Sequence, residues 1–228
     1  MTDPTEAATA TVLVAHGTRD ARGADTVRRL AHRVADALPS QEVRLAYVDV
    51  QEPLVGEVLD DVMTRHESVV VVPLLLSRGF HVDVDIAEAV AAHPGSRAVA
   101  QLGPDPLLAE RMVQGLVDLD VPSTAHVVLA AAGSSRAEAA VDVEVAADQL
   151  AERWDGPVTV AYAAGTAPSV PDAVAAARAE GATSVAVAAY LLAEGFFHDR
   201  LADAGADGVT APLGDDDAVL AVILSRLT

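Results

Sequence analysis

The chain has 228 residues, no cysteine and no lysine, and sets 34 acidic against 15 basic side chains for a formal charge of −19. That composition excludes disulfides, thiolate metal sites, thiol catalysis and any lysine-dependent mechanism. It also argues against nucleic-acid backbones and anionic membrane surfaces as partners.

Residues 1–9 read as a disordered tail without the basic and apolar regions of a signal peptide. No apolar run approaches the roughly 20 residues that span a bilayer, so a soluble cytoplasmic protein is expected. Thr11 to Ala15 forms a short apolar strand that ends at His16-Gly17-Thr18-Arg19-Asp20. A helix follows from about Ala24 to Leu38, with Val27, Leu30, Val34 and Leu38 at helical spacing. Glu42 to Val50 reads as a second strand, and Glu52-Pro53 as the first turn of a helix reaching Arg65. The continuous apolar run Val69 to Leu76 fits a strand buried on both faces of a parallel sheet. Ser77, Arg78 and Gly79 break it, and a helix from Val82 to Val90 follows His81. A short strand from Arg97 to Leu102 and a helix from Pro106 to Leu119 complete a βαβαβαβα order, which demands parallel strands with helices on both faces.

After Val121-Pro122 the order begins again. Ala46-Tyr47 with Pro53 recurs as Ala161-Tyr162 with Pro168, Leu74-Leu75-Leu76 with Gly79-Phe80 as Tyr190-Leu191-Leu192 with Gly195-Phe196, and Leu102-Gly103 as Leu213-Gly214, at offsets of 111 to 116 residues. One βα unit has therefore been duplicated. The expected fold is α/β: two similar doubly wound parallel-sheet lobes, 10–122 and 123–228.

The copies differ at the carboxyl ends of the strands, the rim where open α/β sheets bind ligands. His16-Gly17-Thr18 becomes Ala132-Gly133-Ser134, and His81 falls opposite Phe197, with His198 one residue on. Strand neighbours lie about 5 Å apart, so His16 and His81 are expected to face one another across a cleft. The remaining histidines carry less. His32 and His66 read as solvated, His93 as a cation at a helix end, and His126 lies at the start of a strand, away from that rim.

Ala15-His16-Gly17-Thr18-Arg19, Tyr47-Val48-Asp49-Val50-Gln51-Glu52-Pro53, and Val72-Pro73-Leu74-Leu75-Leu76 leading to Gly79-Phe80-His81-Val82 resemble, in that order, the class II chelatases. Within them the chain looks like the sirohydrochlorin chelatases, which insert cobalt or ferrous iron into sirohydrochlorin. The resemblance covers nearly the whole chain. It implies two α/β lobes with the tetrapyrrole between them, His16 and His81 as ligands of the incoming Co²⁺ or Fe²⁺, and Asp49 as an assisting carboxylate. It also implies that one lobe holds the metal site, and because Ala132 and Phe197 occupy the places of His16 and His81, the second lobe is expected to bind substrate but not metal. No organic cofactor is implied.

The residue types suit that chemistry. A pair of neutral imidazoles binds first-row divalent ions yet leaves positions open, as delivery requires. Imidazole or a carboxylate such as Asp49 or Glu52 can accept pyrrole protons, although Glu52 reads more simply as a first-turn carboxylate favoured by the helix dipole. The eight carboxylates of sirohydrochlorin would meet Arg19, Arg78, Arg136 and Arg200, with backbone N–H groups at Gly17-Thr18 and Gly133-Ser134-Ser135. His198 is expected to line the macrocycle cavity rather than hold the ion. Two lobes in one chain make a monomer sufficient. Two other readings compete: a metal or tetrapyrrole carrier without catalysis, and a phosphate-ligand protein using the two glycine turns, which lack a dinucleotide or P-loop fingerprint.

Overall fold

The computed structural model describes residues 9–79 and 81–228, and only the backbone of residues 81–83. The first half holds β1 (Thr9–Ala15), α1 (Ala21–Ala37), β2 (Val43–Tyr47), α2 (Val55–Val62) and β3 (Ser68–Pro73). A π-helical segment, His81–Ile86, then runs into α3 (Ala87–Ala92), before β4 (Ser96–Ala98) and α4 (Pro106–Asp118). The second half repeats the order with β5 (His126–Ala131), α5 (Ala137–Ala151), β6 (Val158–Tyr162), α6 (Val170–Ala179), β7 (Val185–Tyr190), α7 (Phe196–Asp199), β8 (Gly208–Val209) and α8 (Asp217–Ser225).

Each half builds one four-stranded parallel sheet, ordered β2-β1-β3-β4 and β6-β5-β7-β8. The duplication read from the sequence is thus a duplication of topology. Even the bridges after β2 and β6 match, Tyr47 with Leu54 and Tyr162 with Ser169. In both sheets the connections diverge from the central pair, β1/β3 or β5/β7, and a crevice opens at that switch point.

Several boundaries differ from the sequence reading. Residues 1–8 of the expected tail lie outside the described residues, but Thr9 already pairs with Ser68 in β1. Glu52 precedes the helix it was expected to start. Helix α2 begins at Val55, and its first-turn carboxylate is Glu57, whose Oε2 accepts from the Leu54 amide at 2.9 Å. Helix α1 starts three residues early because Asp20 caps it, accepting the Arg22 amide at 2.9 Å.

The core follows from the alternation of side chains along each strand. In β1, Val12 and Val14 point outward and pack with Val55, Val58, Leu59 and Val62 of α2. Leu13 and Ala15 point inward, onto the buried stripe Val27, Leu30, Ala31 and Val34 of α1. That inner cluster does not stop at the lobe boundary. It continues through Leu108, Met112 and Leu116 of α4 into Leu129, Leu150, Trp154, Val222 and Ile223 of the second lobe. The two lobes therefore share one hydrophobic core, with small aliphatic side chains filling most of it.

Polar contacts close the same interface. Asp142 of α5 is buried and accepts from the Arg78 amide at 2.6 Å, the Arg78 Nη2 at 3.1 Å and the Gln101 Nε2 at 3.0 Å. The duplicate of this contact is Thr26 of α1 with Glu194, hydroxyl to Oε2 at 3.0 Å. Arg22, Arg29 and Arg33 of α1 pair with Asp199, Asp215 and Asp217. Tyr190 donates its hydroxyl to the Leu76 carbonyl at 2.9 Å, and burial raises its pKa. Among the described residues no helix is long and apolar enough to cross a membrane.

Candidate active site in the cleft between the lobes

A cavity of about 570 Å³ opens between the carboxyl ends of the two sheets. That is in the range of pockets for organic ligands. Lobe one lines it with Ala15, His16, Gly17, Thr18, Gln51 and Leu74 to Ser77; lobe two answers with Ala131 to Ser135, Tyr190 to Gly195 and Phe196 to His198.

His16 stands where β1 ends. Its ring is exposed, with Nδ1 3.2 Å from the Gly17 carbonyl oxygen. The turn beneath it is held by residues that follow the next strand, β2. The His16 carbonyl accepts the Asp49 amide at 3.1 Å, and the Thr18 amide donates to Gln51 Oε1 at 2.8 Å. Gly17 adopts φ +97°, and a Cβ there would lie 2.1 Å from the Asp49 carbonyl oxygen, so only glycine fits. Next along, Thr18 Oγ1 accepts the Asp20 amide at 3.1 Å. The hydrogen bond from Arg22 holds the Asp20 carboxyl down at about 2.

The second lobe repeats the turn without the imidazole. Gly133 has φ +99°, and its Cβ would come within 2.0 Å of the Ala164 carbonyl oxygen. Thr166 takes the place of Gln51, donating its hydroxyl to the Ser134 carbonyl at 3.0 Å. Ala132 stands in the place of His16 and leaves a small apolar wall.

The other expected site residues are placed as follows. Asp49 does not line the cavity. Its Oδ1 accepts the Val50 amide at 2.7 Å, folding the carboxylate onto its own turn, while Gln51 from the same motif faces inward. Arg78 is also withdrawn, because Asp142 takes its amide and its guanidinium. Arg19 is exposed directly after the lining residue Thr18. The side chain of His81 lies outside the described residues. His198 lines the cavity, and its Nε2 sits 2.9 Å from the Thr210 carbonyl oxygen. A carbonyl only accepts, so Nε2 is the donor in this contact.

The four remaining histidines lie elsewhere. His66 is less solvated than expected, pairing through Nε2 with Glu42 at 2.8 Å. His93 joins the Ala89 carbonyl to Asp60, and His126 is buried against Thr159 at 3.0 Å. His32 is exposed on α1.

Two lining residues escaped the sequence reading. Gln51 stands in the sequence only as one residue of a motif; a polar side chain beside a cis-proline turn is a weak signal until the turn is seen to reach β1. Glu194 is the only carboxylate lining the cavity among the described residues. It sits at the position duplicated from Arg78, so an alignment of the halves pairs opposite charges and hides it. No cluster of three or more His, Cys, Asp or Glu able to hold a metal ion occurs among the described residues.

The family model CbiX matches residues 10–119 and again 126–228, once for each lobe. The chain belongs to the CbiX family. This agrees with the sirohydrochlorin chelatases that the three ordered motifs resemble. Among solved structures, SirB from Bacillus subtilis with Fe³⁺ superposes at a TM-score of 0.82 and 20% identity, over 96% of this chain and 94% of that one. The sirohydrochlorin chelatase SirB from Bacillus subtilis subspecies spizizenii, in complex with cobalt, gives 0.80 at 19% identity over 96% and 93%. CbiX, described as the terminal enzyme of siroheme biosynthesis in denitrifying bacteria, gives 0.70 at 21% identity over 96% and 97%. At these identities the likeness is one of fold. A search of curated proteins returns no match.

Proposed function

We propose that this CbiX-family protein is a sirohydrochlorin chelatase that inserts a divalent first-row metal, Co²⁺ or Fe²⁺, into the free-base macrocycle. The observation that carries the reading is His16, an exposed imidazole on a rigid glycine turn, facing an otherwise largely apolar cavity built by both lobes. Co²⁺ and Fe²⁺ are substrates here, and imidazole suits both. His16, with His81 supplied by the same lobe, is the donor pair that hands over the ion. A site this sparse in ligands fits transfer, because every protein ligand must be exchanged for a ring nitrogen.

Insertion expels two pyrrole N–H protons, one for each positive charge the metal brings to the ring. Glu194 is placed to accept them in turn and pass them to solvent. The Thr26 hydroxyl holds one of its oxygens from the opposite lobe. Asp49, turned onto the Val50 amide, is left the task of shaping the turn beneath His16.

The test is the absorbance of metal-free sirohydrochlorin mixed with Co²⁺ or Fe²⁺, with and without protein. Insertion faster than the spontaneous rate is expected, and His16→Ala should lower it at limiting metal by about a hundredfold, the scale of losing a positioned catalytic group. A spectral shift without turnover would make the protein a carrier. No spectral change would remove the reading.

A further inference from the structure

Among the described residues two that are not glycine adopt positive φ, Val50 and Asp120. Asp120, at +55°, is a residue type that tolerates the left-handed region; Val50, at +67°, is β-branched and does not. Packing does not offset the strain, because Val50 is 43% exposed. The Gln51 amide donates to the Asp49 carbonyl at 2.7 Å and closes a three-residue turn centred on Val50, a rare form at positive φ. In lobe two the duplicated turn is closed by the Thr166 amide on the Ala164 carbonyl at 2.8 Å, and its central residue is Gly165, at φ +72°. A Cβ on Gly165 would meet nothing within 4 Å, so glycine stands there for its backbone and not for want of space. The fold thus has an unstrained solution, and the lobe that carries His16 does not use it.

The residues on either side of Val50 hold the turn beneath His16. The Asp49 amide donates to the His16 carbonyl at 3.1 Å, the Asp49 carbonyl lies against Gly17, and Gln51 Oε1 accepts the Thr18 amide at 2.8 Å. Asp49 Oδ1 accepts the Val50 amide at 2.7 Å and so pins the strained residue itself. Turning the Asp49–Val50 peptide unit until φ at Val50 is negative relieves the strain. The same movement breaks the Gln51–Asp49 bond and draws the Asp49 carbonyl off Gly17. Strain of this kind persists only where the surroundings over-determine it, and it shifts the balance toward the released arrangement.

We infer that Val50 is a positioning residue for metal release: its strained backbone weakens the hold of residues 49–51 on the His16 turn, so that the imidazole can surrender the ion. This role rests on the chelatase reading, in which His16 holds the metal, and adds what governs how fast the ion leaves. Lobe two has Ala132 in the place of His16, has nothing to release there, and keeps the glycine.

Release is timed by mixing the Co²⁺-loaded full chain with excess EDTA and following the visible absorption of the bound ion, beside measurements of Tm and of insertion into metal-free sirohydrochlorin. Val50→Gly removes the strain; it should slow release about fivefold and tighten Co²⁺ binding by a similar factor, without lowering Tm. In the insertion assay kcat and the KM for Co²⁺ should fall together, the pattern of relieved ground-state strain. Gly165→Val adds the same strain to lobe two, and it should lower Tm while leaving Co²⁺ release within about twofold of wild type. Release from Val50→Gly as fast as from wild type, or faster, would overturn the role of Val50, and so would a Gly165→Val protein with an unchanged Tm. Failure of the wild type to accelerate insertion would instead sink the chelatase reading, and Co²⁺ release would still be readable without the macrocycle.

Discussion

Gly17→Ala and Gly133→Ala form a matched pair that separates stability from function. The new Cβ would lie 2.1 Å from the Asp49 carbonyl oxygen in one case and 2.0 Å from the Ala164 carbonyl oxygen in the other, at φ +97° and +99°. In each turn the carbonyl must retreat by about 1.3 Å or more to reach ordinary contact, while already accepting an amide at 2.7 Å (Gln51) or 2.8 Å (Thr166). Unfavourable φ costs about 1–3 kcal/mol and overpacking a similar amount. A loss of about 3 kcal/mol, or roughly 6–12 °C in Tm for a chain of this size, is expected for both variants. Trp154, buried in the shared core, reports the transition by its fluorescence. The functional outcomes should part. Gly17→Ala displaces His16 and should weaken Co²⁺ binding at least tenfold, whereas Gly133→Ala moves only the apolar turn at Ala132 and should leave it nearly unchanged. Equal losses of Co²⁺ affinity would refute the assignment of metal to lobe one. A Gly17→Ala protein as stable as wild type would refute the steric argument itself.

Asp142→Ala should destabilise by about 3 kcal/mol, because the Arg78 amide and the Gln101 amide nitrogen lose their buried acceptor; Thr26→Val, at the duplicated contact, should cost less than half as much, and comparable Tm shifts in the two variants would contradict this. Burial holds the imidazole of His126 below the ordinary histidine value, so the fold favours the neutral ring and the unfolded chain takes up the proton first. Its contribution is therefore complete above the unfolded pKa of about 6.5 and is lost as pH falls through the folded value. His126→Gln, able to keep a hydrogen bond to Thr159, should flatten the decline of Tm between about pH 7 and about pH 5. An undiminished slope would assign that decline to other groups. At lower pH, Glu42, held at about 2 chiefly by Arg65, contributes stability above its unfolded value that is lost as pH falls toward 2. Glu42→Gln should make the acid limb of the Tm profile shallower, and an unchanged limb would argue against it.

The sequence determined the fold because its signals are local and doubled. Runs such as Val69–Pro73, the helical stripe Val27-Leu30-Val34 and the near-constant offset between halves each follow from short-range periodicity, and the duplicated turns fix where the sheet rims lie. It also located His16 and the substitution of Ala132 for its duplicate. What it left undecided depends on which side chains meet across the lobes. Asp49 and Arg78 stand at strand ends in the sequence, and only the fold gives one a backbone amide and the other a buried carboxylate as partner. Glu194 and Gln51 became cavity residues only when loops distant in sequence came together at β1 and β7. Hydrogen-bond partners separated by 33 to 168 residues leave no periodic trace, so the chain can show that a polar residue sits at a strand end but not where it will point. That choice belongs to the packing of one lobe against the other.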